Sequence, residues 1–198
     1  MDITWLGGNS LLLKGRETRV LLAPLGADAQ TNTRAGADIV VGFTAGENVL
    51  RPDSGAQMVA RPGEYELRGV SVRGVSVTAG TVFVTELDEV SVCNFGDQST
   101  EISDEALEAL GFIDVLGIGL DGGSAARAMA VAQLLTRARP AVCIPTGYVS
   151  ALDAAPGELA AFVKEMGLAQ VTPQGKLTLS GSSGSADDTR VVVLEPRR

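Results

Sequence analysis

The stretch FIDVLGIGLDGGSAARAMAVAQLLTRARPAVCIP, residues 112–145, decides the fold. Its opening segment FIDVLGIGL is a short apolar run of branched aliphatics and glycine, the pattern of a strand buried on both faces. Ser124 then stands where a helix needs an N-cap, an Ala-rich helix extends through Arg139, and Pro140 ends it. Val131, Leu134, Leu135 and Ala138 mark the inner face of that helix, because they recur at helical spacing. AVCIP is a second buried strand.

Outward from this unit, the period of the sequence changes. The first half reads as a succession of short strands: DITWL, SLLLK, RVLLA, DIVVG, AQMVA, GEYELRGVSVRGVSV, TVFVTE and EVSVCNF. Turn residues separate these runs, among them Gly7-Gly8-Asn9, Pro24, Pro62-Gly63 and Ala79-Gly80. Within GVSVRGVSV, Val70 and Val72 have one parity while Val75 and Val77 have the other, so a one-residue bulge at Arg73-Gly74 is expected. Ser103 reads as the N-cap of a helix EALEAL that stops at Gly111, with Ile102 and Leu107 placed as a hydrophobic staple. Leu159, Phe162, Val163 and Met166 give the stripe of a third helix closed by Gly167. The tail reads as a hairpin of KLTLS and RVVVLEP across GSSGSADD. Strands first, then alternating helix and strand, point to an α/β (α+β) chain: an αββα sandwich of two mixed sheets flanked by helices.

Composition bounds what this sandwich does. With 198 residues the chain suits one domain, residues 1–198, and its aromatics are only 4%, so branched aliphatics must fill the core. The net charge is −8 and the longest basic run is Arg197-Arg198, which argues against a nucleic-acid partner. No signal-like segment leads the sequence and no apolar run approaches the roughly 20 residues of a membrane span, so a cytoplasmic protein with no membrane partner is expected. Cys93 and Cys143 each lie in an apolar strand and read as two reduced, buried thiols.

Several stretches, in order along the chain, resemble the metallo-β-lactamase superfamily, specifically its compact metal-dependent hydrolases related to ascorbate-6-phosphate lactonase. MDITWLGGNSLLLKG is similar to a start that reads Trp-Leu-Gly-His-Ser in that group, and RVLLAPLG to a Leu-Ile-Asp-Pro segment. RPGEYELRGVSVRGV resembles a Gly-Glu-Tyr-Glu turn, CNFGD resembles Cys-His-Leu-Gly-Asp, IPTGY resembles Ile-Pro-Met-His-Tyr, and RVVVLEP resembles the closing strand. The resemblance implies the metallo-β-lactamase fold and relatives that use Zn or Mn, often as homo-oligomers.

The chemistry of that family rests on histidines, and this chain has none. The family loop Thr-His-x-His-x-Asp-His aligns with Gly42 to Asn48 in VVGFTAGEN, so two ligand positions become Phe43 and Ala45, the aspartate becomes Glu47 and the last histidine Asn48. The same alignment puts Gly8, Asn94 and Gly147 where the family has its other histidines, and Ala23 where an aspartate supports the site. Asp97 matches the family's metal-bridging aspartate. Catalytic zinc takes about three imidazole, thiolate or carboxylate ligands and an open position for water, whose pKa it lowers from about 16 to roughly 7. Asp97 by itself does not supply that ligand set.

The expectation is therefore a pseudoenzyme: no catalytic residue, no metal and no cofactor, with a scaffold role in binding an unknown protein partner or in self-association. Asn48 and Asn94 would then hydrogen-bond loops that a metal holds in the family, and Phe43 would fill part of the vacated pocket. The alternative is a metal-dependent hydrolase of phosphoesters or lactones with a site rebuilt from Glu47, Asn48, Asn94 and Asp97, whose oxygens suit a hard cation. Other chemistry is poorly supported: a Cys143 nucleophile lacks a histidine base. Glu64 and Glu66 flank Tyr65 on one strand and read as an edge. Asp121-Gly122-Gly123-Ser124 is an ordinary helix entry in which Asp121 would oppose an anion.

Overall fold

The computed structural model describes residues 1–23, 36–42, 55–78, 80–96, 101–120, 124–148, 157–169, 171–181 and 188–197. Two mixed sheets face each other. The first has the order β12-β1-β2-β3-β4-β5, built from β1 (Asp2–Trp5), β2 (Leu11–Lys14), β3 (Arg19–Ala23), β4 (Ile39–Gly42), β5 (Gln57–Val59) and β12 (Leu177–Thr178). The second has the order β13-β11-β10-β9-β8-β7-β6, from β6 (Gly63–Leu67), β7 (Val70–Val77), β8 (Gly80–Leu87), β9 (Val90–Asn94), β10 (Val115–Gly119), β11 (Val142–Thr146) and β13 (Arg190–Val191). Among the described residues three helices, α1 (Asp104–Leu110), α2 (Ala125–Ala138) and α3 (Gly157–Glu165), flank the sheets.

The apolar runs of β2, β3 and β4 are buried on both faces of the first sheet. Leu11, Leu13, Val20, Leu22, Ile39 and Val41 enter the core shared with the second sheet, whereas Leu12, Leu21 and Val40 form a separate cluster with Ala37. The strand-helix-strand segment behaves as its sequence requires. β10 and β11 are parallel and every residue of both is buried, with α2 as the crossover between them. Ser124 Oγ accepts from Arg127 N at 3.1 Å and Arg139 adopts a left-handed C-cap before Pro140. Ser103 caps α1 in the same way, accepting from Ala106 N at 3.2 Å.

Two expectations fail for physical reasons. No bulge interrupts β7: the register runs unbroken from Ser71↔Glu86 through Gly74↔Phe83 to Val77↔Gly80. Gly74 keeps the buried parity because the Phe83 ring lies where its side chain would be, 2.7 Å from an added Cβ. Helix α1 packs on β7, and Val75 and Val77, of the other parity, are half-buried against the core. The tail is not a hairpin. β12 joins β1 in the first sheet and β13 runs parallel to β11 in the second, so the two tail strands close different sheets. A pattern of two apolar strands across a Gly/Ser-rich loop carries no information on which sheet each one completes.

Candidate functional site

The site lies where β1, β9, β10 and β11 end. β1 runs from Trp5 into the turn Gly7-Gly8-Asn9, closed by Leu6 N donating to Ser10 O at 2.9 Å and Ser10 N to Gly7 O at 3.1 Å. Gly7 and Gly8 hold φ of 96° and 51°, a conformation that glycine adopts without a Cβ clash. Trp5 is buried beneath the turn and its Nε1 donates to Gly8 O at 2.7 Å. Its ring packs on Tyr148 at a centroid separation of 4.7 Å, and the Tyr148 hydroxyl donates to Leu194 O at 2.7 Å. Burial, with a smaller push from the Glu195 carboxylate, raises the Tyr148 phenol above its ordinary range, so it stays protonated and donating.

Asn94 ends β9 and is 2% exposed. Its Nδ2 donates to Asn9 O at 2.8 Å and its Oδ1 accepts from Gly96 N at 3.2 Å. Thr146, fully buried at the end of β11, donates from Oγ1 to Asn9 Oδ1 at 2.8 Å. Gly147 follows with φ of 67°, and its N–H reaches Gly8 O at 2.9 Å. Gly117 of β10 pairs with Asn94, and an added Cβ there would stand 2.7 Å from Asn94 Oδ1 and 2.8 Å from Leu11 Cδ1. At the rim, Arg127 of α2 donates from Nε and Nη2 to Gly119 O at 3.0 and 2.9 Å.

The structure thus brings together three of the positions singled out in the sequence. Gly8 and Gly147 meet through a backbone hydrogen bond, and Asn94 lies against the residue that follows Gly8. Phe43, Ala45, Glu47, Asn48 and Asp97 lie outside the described residues; Ala23 ends β3 beside Gly42. The three described positions do not fit a histidine-type metal centre: two carry no side chain, and both polar atoms of the third are engaged within the chain. Among the described residues no group of three His, Cys, Asp or Glu is placed to hold a metal ion.

Sequence reasoning missed Asn9, Thr146 and Gly117. Their signals were present: a polar residue ending the otherwise apolar strand VCIPT, an asparagine beside Gly8, and a glycine inside LGIG where a strand prefers a side chain.

The remaining chemistry resolves plainly. Glu64 and Glu66 lie on β6 at the edge of the second sheet, both exposed, and Glu64 pairs with Arg73 Nε at 3.4 Å. Cys93 and Cys143 are free and buried, and burial pushes both thiols far above their ordinary range, away from the thiolate a nucleophile needs. Residues 121–123 of the proposed helix entry lie outside the described residues. Among the described residues no helix is long and apolar enough to cross a membrane.

Two mixed sheets with flanking helices and a site at the strand ends define a metallo-β-lactamase-type sandwich. A sequence model of the Beta-lactamase superfamily domain matches residues 2–147, and the chain belongs to that superfamily. A candidate Zn-dependent hydrolase of the metallo-β-lactamase superfamily from Thermotoga maritima superposes with a TM-score of 0.72 at 21% identity, covering 98% of this chain and 99% of that one. Igni18, a metallo hydrolase from Ignicoccus hospitalis, gives a TM-score of 0.63 at 16% identity over 100% and 96% of the two chains. CmlA, a diiron β-hydroxylase from Streptomyces venezuelae, gives 0.52 at 12% identity over 82% of this chain and 46% of its own. Comparison with curated proteins gives no match.

These relatives correct one expectation. The expectation of no cofactor, beside relatives that use Zn or Mn, is overturned: the proteins sharing this fold include ones described as metal-dependent hydrolases and a diiron enzyme. Loss of histidine alone does not decide metal use for the whole site, because a ligand set is a property of all its loops, and five of its positions lie outside the described residues.

Proposed function

We propose that this chain is a binding or assembly scaffold on the metallo-β-lactamase fold, without hydrolase turnover at the strand ends. One observation carries the reading. Where the family resemblance places imidazoles at Gly8, Asn94 and Gly147, two positions offer no side chain and the third directs both amide atoms into the chain. A hydrolase needs a polarising group and an activated water at that place, and these three positions supply neither. The partner is a protein or a second copy of this chain, and the working unit is the single domain 1–198 in the cytoplasm. The charge of −8 supports a partner other than nucleic acid.

A second reading draws on the relatives, whose descriptions as metal-dependent hydrolases favour a site rebuilt from Glu47, Asn48, Asn94 and Asp97 that acts on phosphoesters or lactones. The test is turnover on a panel of both substrate classes with Zn²⁺, Mn²⁺ or Fe²⁺ added, alongside light scattering to read self-association. The scaffold reading expects background rates with every metal. Metal-stimulated turnover that disappears in Asp97→Ala would replace it with the second.

A further inference from the structure

The two sheets share a largely aliphatic interface, but at the ends of β1, β9 and β11 they are joined by polar atoms. Asn94 Nδ2 and Thr146 Oγ1, both from the second sheet, reach the backbone oxygen and side-chain oxygen of one residue, Asn9, in a turn of the first, each at 2.8 Å. Gly147 N adds a third crossing to Gly8 O at 2.9 Å.

We infer that Asn9, Asn94 and Thr146 form a lock fixing the first sheet against the second at the site, and that Asn94 is committed to this lock rather than held as a metal ligand. The lock stands on hydrogen bonds alone and goes beyond the scaffold reading, since it holds whether or not the chain turns over a substrate.

Burial supplies the driving force. Asn94 and Thr146 are 2% and 0% exposed, and polar groups so placed are costly unless paired, so each stabilises the fold only while its partner is in position. The amide is also oriented. Gly96 N requires an acceptor and takes Oδ1, which leaves Nδ2 for the Asn9 carbonyl. A hard cation would take Oδ1, the same atom that sets this orientation. Gly117 keeps the space Asn94 occupies, and the left-handed conformations of Gly8 and Gly147 bring their two turns within hydrogen-bond reach.

The test is urea unfolding of the full chain carrying Thr146→Val, Thr146→Ser, Asn9→Ala and the Thr146→Val/Asn9→Ala pair. Loss of the hydroxyl in Thr146→Val is expected to raise the unfolding equilibrium constant about 5- to 30-fold, with Thr146→Ser much closer to wild type. The double variant is expected to fall short of the product of the two single effects. Equal effects of Val and Ser, or effects that multiply without coupling, would overturn the lock. For the ligand question, added Zn²⁺, Mn²⁺, Fe²⁺ or Ca²⁺ is expected to shift the unfolding midpoints of wild type and Asn94→Ala equally. A shift present in wild type and lost in Asn94→Ala would make Asn94 a ligand. The Thr146 and Asn9 cycle decides the lock even where Asn94→Ala fails to fold. Turnover on the same samples is a separate readout, so failure of the lock and failure of the scaffold reading are distinct results.

Discussion

Gly117→Ala probes a close approach of the two sheets at the site. An added Cβ would lie 2.7 Å from Asn94 Oδ1 and 2.8 Å from Leu11 Cδ1, against an ordinary contact of at least 3.4 Å. Both neighbours must therefore move by more than half an ångström, and neither moves freely: Asn94 is held by Asn9 and Gly96, and Leu11 is a fully buried core residue. Overpacking of this kind costs about 1–3 kcal/mol, and loss of one Asn94 hydrogen bond adds about 1 kcal/mol. The reduced entropy of the unfolded chain returns about 0.5–1 kcal/mol. The net expectation is a destabilisation of about 1–3.5 kcal/mol, or roughly 2–14 °C in Tm for a chain of this size. Urea unfolding followed by circular dichroism measures it, with Gly175→Ala as the control because a Cβ there meets nothing within 4 Å. A Gly117→Ala midpoint equal to that of Gly175→Ala would refute the packing argument.

Other consequences follow from single side chains. The Thr85 hydroxyl is buried on β8 without a hydrogen-bond partner among the described residues, so Thr85→Val is expected to raise stability by about 1 kcal/mol; a lower unfolding midpoint would contradict this. Cys93 and Cys143 are expected to react with a thiol reagent only after denaturation, and stoichiometric labelling of the native chain within minutes would show that their burial is misread. Asp2 ties β1 to β12 by accepting from Lys176 Nζ at 2.8 Å and Thr178 Oγ1 at 2.7 Å, and these bonds, Lys176 first, lower its pKa. A lowered folded-state value means that its contribution is present above the unfolded carboxylate value of about 4 and is lost as pH falls through the folded value. The stability advantage of wild type over Asp2→Asn should accordingly shrink on acidification below about pH 4, and an advantage constant down to pH 2 would refute the assignment.

Much of this architecture is legible before any coordinates. The run FIDVLGIGL, the capped helix after Ser124 and the buried AVCIP fix the central crossover because period and caps are local properties. What the sequence hides is non-local. Nothing in KLTLS and RVVVLEP says that they complete opposite sheets, and parity alone misreads Gly74, where the ring of Phe83 replaces a side chain. The site divides in the same way. Resemblance brought Gly8, Asn94 and Gly147 into view by their motif positions. Asn9 and Thr146 emerge only from pairings 85 and 137 residues apart, between Asn9 and, in turn, Asn94 and Thr146.

The central claim is that the strand ends carry no hydrolytic chemistry, and the most direct measurement compares steady-state turnover of wild type and Asp97→Ala. Both proteins would be assayed on a phosphodiester and a lactone after loading with Zn²⁺, Mn²⁺ or Fe²⁺. The scaffold account predicts two indistinguishable rates at the level of metal in buffer. A wild-type rate well above that level, abolished by Asp97→Ala in a protein that still folds, would contradict it.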